Sequence, residues 1–269
     1  MSGDQKCARE YCKASACSYS MDVPFSGVFC SFKCARRAFT SDVSQDGYDI
    51  IPDVFLHPSV DRLLKLNGVA LRHALNWVTD PFDKKADKSM HDDTHWLLLH
   101  GSRSGTGKTR IGTEAFMALC LQNGREWEPS NIQWLPVGKL LQRYRDVIRD
   151  NEGKAELQRT LTNCEFLFLD DIDKIKPTEG LQELLFAALD ERSGYQNRKT
   201  IFTTNLSGNQ LEEKWGPEYG PYLVRRLKDF CYPINCDDTE GLDPNTEPNT
   251  PHQTQYEIER LNRKNTLHH

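Results

Sequence analysis

The sequence predicts an α/β fold in which a parallel sheet lies between two helical layers, and three observations lead to it. Five short apolar runs, "WLLLH", "NIQW", "FLFLDD", "KTIFTTN" and "YPIN", are each of strand length. Between them lie longer stretches with helical spacing of apolar residues, and such alternation is the mark of strands joined by helical crossovers. The runs are apolar almost throughout, as strands covered on both faces must be, and two of them end in polar side chains.

In chain order, "VDRLLKLNGVALRHALNWV" has apolar positions compatible with one or two helices broken around Asn67-Gly68, packed on the body that follows. "DPFDKKADKSMHDDTH" then reads as a charged, solvated loop; His91 and His95 fit that loop better than a metal site. The body begins with the strand "WLLLH" and a helix opening at Gly107. "NIQW" and helices through 137–162 come next, followed by "FLFLDD" and a helix over 178–192. "KTIFTTN", helices over 208–230 and "YPIN" complete it. Composition divides the 269 residues into a cysteine-rich head (1–45), a helical connector (46–95), an α/β core (96–236) and a polar tail (237–269). The tail has too few apolar residues to offset its ordering entropy and is expected to be disordered.

A net charge of −5 argues against a protein that coats polyanions generally, while leaving local basic faces possible. No apolar run approaches the ~18 residues of a membrane span, and residues 1–20 hold no signal-like apolar segment; a cytoplasmic location without membrane contact is expected. Cys120 and Cys164 sit in apolar patterns and read as small buried residues. Five of the nine cysteines fall before residue 35, which in a reducing compartment suggests a metal.

"GSRSGTGKT" follows the first strand and opens a helix. Phosphate-binding loops of the pattern G-x-x-x-x-G-K-[ST] present successive backbone N–H groups and a helix N-terminus to an anion. Gly105, Thr106, Gly107, Lys108, Thr109 and Arg110 fill its floor. The first glycine is displaced: Ser102 stands in its place, with Gly101 one residue earlier, so the geometry is expected to change at the mouth of the loop and not at its floor. Lys108 would neutralise the β- and γ-phosphates of ATP, and the Thr109 hydroxyl would ligate magnesium.

"FLFLDD" brings Asp170 and Asp171 to the carboxyl end of a central strand, where ligands of parallel sheets gather. Asp170 fits the magnesium partner and Asp171 the base or water-orienting group; Asp173 reads as a loop or cap residue. At the end of "KTIFTTN", Asn205 could bond the γ-phosphate or the attacking water, with Thr204 the weaker candidate. "YGPYLVRRLKDF" places Arg225 and Arg226 on a helix, and Arg226 is favoured as a finger reaching a neighbouring subunit's phosphate. "VGKLLQRYRDVIR" carries Lys139, Arg143, Arg145 and Arg149 on one helix, with Tyr144 as a stacking group for single-stranded DNA, or else a plain solvated basic face.

"GTGKT", the acidic strand followed by "KPTE", "IFTTNLS", "VRRL" and the upstream "IPDVF" together resemble the AAA+ ATPases of the DnaC/DnaI helicase-loader group and the related IstB transposition ATPases, over about residues 50–236. The resemblance implies a P-loop NTPase fold without a full lid domain, catalytic roles for Lys108, Asp170, Asp171, Asn205 and Arg226, ATP and Mg2+ as cofactors, and a homo-oligomer that acts on a replicative DNA helicase and DNA. In the head, "FCSFKCARR" resembles FCS-type zinc fingers. Cys12, Cys17, Cys30 and Cys34 are the favoured Zn2+ ligands of a small zinc-binding domain, with Cys7 able to replace one of the first pair.

Overall fold

The computed structural model of the chain describes residues 60–79, 94–122 and 131–237. Its elements are α1 (Val60–Thr79), β1 (Trp96–His100), α2 (Lys108–Gln122), β2 (Ile132–Pro136), α3 (Val137–Val147), α4 (Asn151–Asn163), β3 (Phe166–Asp170), α5 (Glu179–Ser193), β4 (Lys199–Thr204), α6 (Gly208–Phe230) and β5 (Cys231–Asn235). The expected strands and helices are all present, within one or two residues of their predicted ends. The head with Cys7, Cys12, Cys17, Cys30 and Cys34, most of the charged loop with His91, and the tail beyond Asp237 lie outside the described residues.

The strands form one parallel sheet in the order β2-β3-β4-β1-β5. Side chains alternate across it with period two. Leu97, Leu99, Phe166, Phe168 and Ile201 face one layer, where Ala70, Leu71 and Ala74 of α1 and Ile111 and Phe116 of α2 complete the core. Trp96, Leu167, Leu169 and Phe202 face the other, against Leu140 of α3, Leu161 of α4, Leu185 of α5 and Val224 of α6. This two-sided burial is why the strands read as unbroken apolar runs. Cys120 and Cys164 are free and buried, one in each apolar layer. His95 is buried edge-on against the rings of Trp96 and Phe230, a packing role and not the solvated loop position expected for it.

Two breaks shape the helices. Asn67 interrupts α1 with non-helical backbone (φ −157°, ψ 62°), and Gly216 interrupts α6 at φ 86° just before Pro217. The Trp215 carbonyl, at the second break, is taken up by Gln182 Nε2 at 2.6 Å. Ser207 starts α6 with a capping box: its hydroxyl accepts from Gln210 N while the Gln210 side chain accepts from Ser207 N.

Arg192 has 0% exposure and ties α4, α5 and β4 together. Its guanidinium donates to the carbonyls of Leu161 (2.9 Å), Thr162 (3.2 Å), Cys164 (2.6 Å) and Lys199 (2.9 Å), and to Thr200 Oγ1 (3.1 Å). No sequence pattern flagged it. Truncating one donor that serves several buried carbonyls leaves them unsatisfied at about 1–3 kcal/mol each. Arg192→Leu is therefore expected to lose at least about 3 kcal/mol, a fall of roughly 6–12 °C in Tm for a domain of this size, measurable by thermal melting.

Candidate nucleotide site

Between β1 and α2 the chain turns back at Gly105 (φ 81°) and Gly107 (φ 88°), a conformation that side chains with a Cβ rarely adopt. A Cβ at Gly105 would meet nothing within 4 Å, so glycine is there for its backbone angle and not for lack of space. Lys108, the first residue of α2, is buried and its ammonium lies across the loop. It donates to Gly101 O (3.0 Å), Arg103 O (2.8 Å) and Thr106 Oγ1 (3.3 Å). Thr106 is buried as well, and Arg110 is partly buried in the first turn of α2.

Thr109, the second residue of α2, reaches across to the end of β3 and donates to Asp170 Oδ1 at 2.9 Å. Thr203 of β4 donates to the same oxygen at 2.6 Å. Phe202 is the register partner of Leu169, which brings the next residues on the two strands, Thr203 and Asp170, side by side. Burial raises the Asp170 pKa to about 6; the Asp171 charge adds to the rise, and the two threonine hydrogen bonds work against it. A carboxylate that has lost its water, beside a threonine oxygen, gains most from a hard cation. The pair Thr109 and Asp170 therefore fits magnesium.

Asp171 turns the chain out of β3 at φ 57°, the only positive φ at a non-glycine among the described residues. Aspartate tolerates this conformation better than most side chains, and the turn is fixed by hydrogen bonds from Asp171 N to Thr203 Oγ1 (2.7 Å) and from Ile172 N to Thr203 O (3.1 Å). Its carboxylate is paired with Lys174 Nζ at 2.9 Å, and that contact raises the lysine's pKa. Asp173 is buried and grips Asn205: its Oδ1 accepts from Asn205 N (2.8 Å) and its Oδ2 from Asn205 Nδ2 (3.2 Å). Asp173 lies in the loop after β3, as expected, and from there orients the strand-end amide. Thr204, the weaker candidate in the sequence, points elsewhere and accepts from Leu206 N.

Arg225 and Arg226 diverge on α6. Arg225 is 74% exposed, with Asp229 at 3.5 Å. Arg226 is 29% exposed and paired with Asp190 of its own chain, so it must leave that carboxylate to reach a neighbour. Lys139, Arg143 and Arg145 are exposed on α3, while Arg149, expected on the same helix, is exposed in the turn after it; Tyr144 is buried against Gly180 of α5. Tyr144 is therefore not available for base stacking: its position in α3 faces the core with Leu140 and Leu141.

Among the described residues no group of three or more His, Cys, Asp or Glu side chains could hold a metal, and no helix is long and apolar enough to cross a membrane. Thr203, Asp173, Asn67 and Asp237 are the site residues that sequence reasoning missed. Thr203 depends on the register of β3 against β4, and the others on contacts between residues far apart in the chain.

Residues 82–214 match the family model of the bacterial DnaA ATPase domain. Among solved structures, the chain is similar to DnaI (23% identity over 62% of this chain and 82% of that one, TM-score 0.44). It is also similar to the DnaC helicase loader (18% identity, 62% and 88%, TM-score 0.47). Domain III of the Thermotoga maritima replication initiation protein DnaA gives 17% identity, 62% and 61% coverage, and a TM-score of 0.46. No curated protein matches the chain. At these identities the likenesses transfer no residue role, and the roles assigned to side chains rest on their own geometry. The parallel five-stranded sheet, the glycine loop that follows β1 and the family match over residues 82–214 make this the α/β P-loop fold of AAA+ proteins.

Proposed function

We propose that this chain is an ATP-hydrolysing switch protein that assembles on DNA and opens or delivers a replicative helicase ring. The convergence of Thr109 and Thr203 on the desolvated Asp170, beside a loop bent at Gly105 and Gly107, is the observation that carries the nucleotide part. The family match to an ATPase domain supports the same part. The helicase part rests on the resemblance of "KPTE", "IFTTNLS" and "VRRL" to the loader group.

In this reading the amides of Gly105–Thr109 and the Lys108 ammonium bind the phosphates, and Thr109 and Asp170 would hold magnesium. When bound there, the ion would supply neutralisation of phosphate charge. Asp171 orients the attacking water and accepts its proton as the new P–O bond forms and the bond to ADP breaks. Asn205, held by Asp173, directs its amide at the γ-phosphate or that water. An arginine of α6 from an adjoining copy completes the charge, which can accelerate hydrolysis by about 10³–10⁵-fold. The exposed basic face of α3 would track single-stranded DNA by phosphate contacts alone. Residues 1–45, with zinc on Cys12, Cys17, Cys30 and Cys34, would grip the helicase; elemental analysis is expected to find about one zinc per chain.

Steady-state ATP hydrolysis with and without single-stranded DNA tests the enzyme. Co-purification with a hexameric helicase, as opposed to a transposase, tests the loader against its IstB-like relative. Mixing Arg226→Ala with Asp171→Asn subunits is expected to restore part of the turnover that each lacks alone; no recovery counts against a finger at Arg226, and the same mixture with Arg225→Ala then decides between the two. One contact favours a second reading, an adaptor that binds ATP without turning it over: Lys174 occupies the Asp171 carboxylate at 2.9 Å. ATP binding with no hydrolysis under any condition, and none gained in Lys174→Ala, would establish that reading.

A further inference from the structure

The two described residues beyond β5, Cys236 and Asp237, meet the phosphate loop at its mouth. Cys236 N donates to His100 O at 2.7 Å. The fully buried Asn67, at the break in α1, donates through Nδ2 to Cys236 O (3.0 Å) and to Thr106 O (3.3 Å), joining α1, the loop and the chain after β5 at one side chain. One residue further, the Asp237 carboxylate meets the loop. Its Oδ2 accepts from Ser102 N (2.6 Å) and Ser102 Oγ (2.9 Å), and its Oδ1 from Arg103 N (2.9 Å). Hydrogen bonding, from the Arg103 amide first, holds this carboxyl below its ordinary pKa. Gly101, at φ 155°, lies directly beneath; a Cβ there would stand 2.6 Å from Asp237 Oδ1.

The peptide joining Gly101 to Ser102 is held at both edges. Its carbonyl accepts from Lys108 Nζ at 3.0 Å, and its N–H donates to Asp237 at 2.6 Å. A trans peptide points these two groups in opposite directions, so an anion on one side and a cation on the other fix the rotation of the plane. The next N–H, of Arg103, also goes to Asp237, while the Arg103 carbonyl goes to Lys108. Two consecutive N–H groups face out to the carboxylate, and the carbonyls face in to the ammonium.

We propose that Asp237 is a positioning residue for the phosphate loop: it holds the Gly101–Ser102 peptide in the orientation that seats Lys108, and so supports the displaced bend at the loop's mouth. This rests on the reading of the loop as an ATP site. It also accounts for Ser102 where the general pattern has glycine, because the serine hydroxyl is a third donor to the same carboxylate. Both Asp237 oxygens are engaged on the outer edge of the loop, so the residue acts through Lys108 and not on the phosphates. An asparagine could serve one edge only, since its NH2 would face an N–H donor.

Calorimetric titration of Mg·ATP into the full chain, together with amide hydrogen exchange on the nucleotide-free protein, tests the assignment. Asp237→Ala is expected to weaken Mg·ATP about 10-fold, as loss of a supporting group behind a ligating one typically does, with Asp237→Asn intermediate. The Ser102 and Arg103 amides should lose protection while those of β3 and β4 keep theirs. Unchanged affinity in Asp237→Ala, or unchanged protection at Ser102 and Arg103, overturns the proposal. Weakening that comes with loss of protection throughout the sheet overturns it too, by making Asp237 a general structural residue. If the wild-type chain takes up no Mg·ATP, the phosphate-loop reading fails, and the exchange measurement still decides whether Asp237 holds the loop.

Discussion

Lys108→Ala is expected to abolish Mg·ATP binding, with a loss of at least about 100-fold in affinity, or about 3 kcal/mol. The Lys108 ammonium is buried, and its acceptors are Gly101 O, Arg103 O and Thr106 Oγ1, all neutral oxygens. Such a cation is held in place by dipoles and gains a charge-assisted partner when a phosphate arrives. The Arg103 carbonyl is on the exposed loop tip, where water can take it over, whereas Gly101 O is buried and loses its donor, so a modest fall in melting temperature is expected beside the loss of binding. Calorimetry and thermal melting on the same preparation separate the two quantities. Retained affinity in a folded variant would place the nucleotide elsewhere.

Asp170→Asn is expected to cost about 10²–10³-fold in turnover, roughly 3–4 kcal/mol of transition-state stabilisation, and at the same time to make the free protein more stable near neutral pH. The second effect follows from the pKa of about 6 against an ordinary 3.8, raised chiefly by burial. A carboxyl whose folded pKa is raised binds its proton more tightly in the native chain, so stability falls as pH rises from about 4 to about 6 and stays low above that. The difference corresponds to up to about 3 kcal/mol. Asparagine keeps an oxygen for Thr109 and Thr203 without the charge, so the variant should show none of this pH dependence. Wild type and variant should converge near pH 4. Magnesium should bind the wild type less well below about pH 6, where Asp170 is protonated, and Mg·ATP should raise the melting temperature of the wild type more than that of the variant, whose phosphate loop is intact. A wild-type melting temperature that is flat between pH 4 and 7 would contradict the raised pKa, and a variant with normal turnover would remove Asp170 from the metal site.

The floor of the site was legible because its chemistry is local. Gly105 to Thr109 are consecutive, and the positive φ at Gly105 and Gly107 needs only the glycines themselves. Asp170 and Asp171 were legible because they end an apolar run whose position in a parallel sheet follows from alternation. What holds these groups was not. Thr203 sits beside Asp170 through strand register, which shifts with every residue of crossover and cannot be read from composition. Asp173 is the loop residue it was expected to be, but its bond to Asn205, across 32 positions of sequence, was not legible. The sequence offers Tyr144 as a stacking group, but it lies one turn beyond Leu140 on the face of α3 that is buried.

The sequence by itself determined the class of fold, the order of strands and helices along the chain, the phosphate loop and the acidic strand, because each depends on periodicity or on neighbours within a few residues. Only the tertiary structure decided the sheet order, the pairing of Arg226 with Asp190 and of Asp171 with Lys174, and the meeting of Asn67, Cys236 and Asp237 at the loop's mouth. The physical reason lies in range. Backbone angles and hydrophobic spacing are properties of a short stretch, whereas a hydrogen bond between residues 102 and 237 exists only once five strands have brought the end of β1 beside the end of β5.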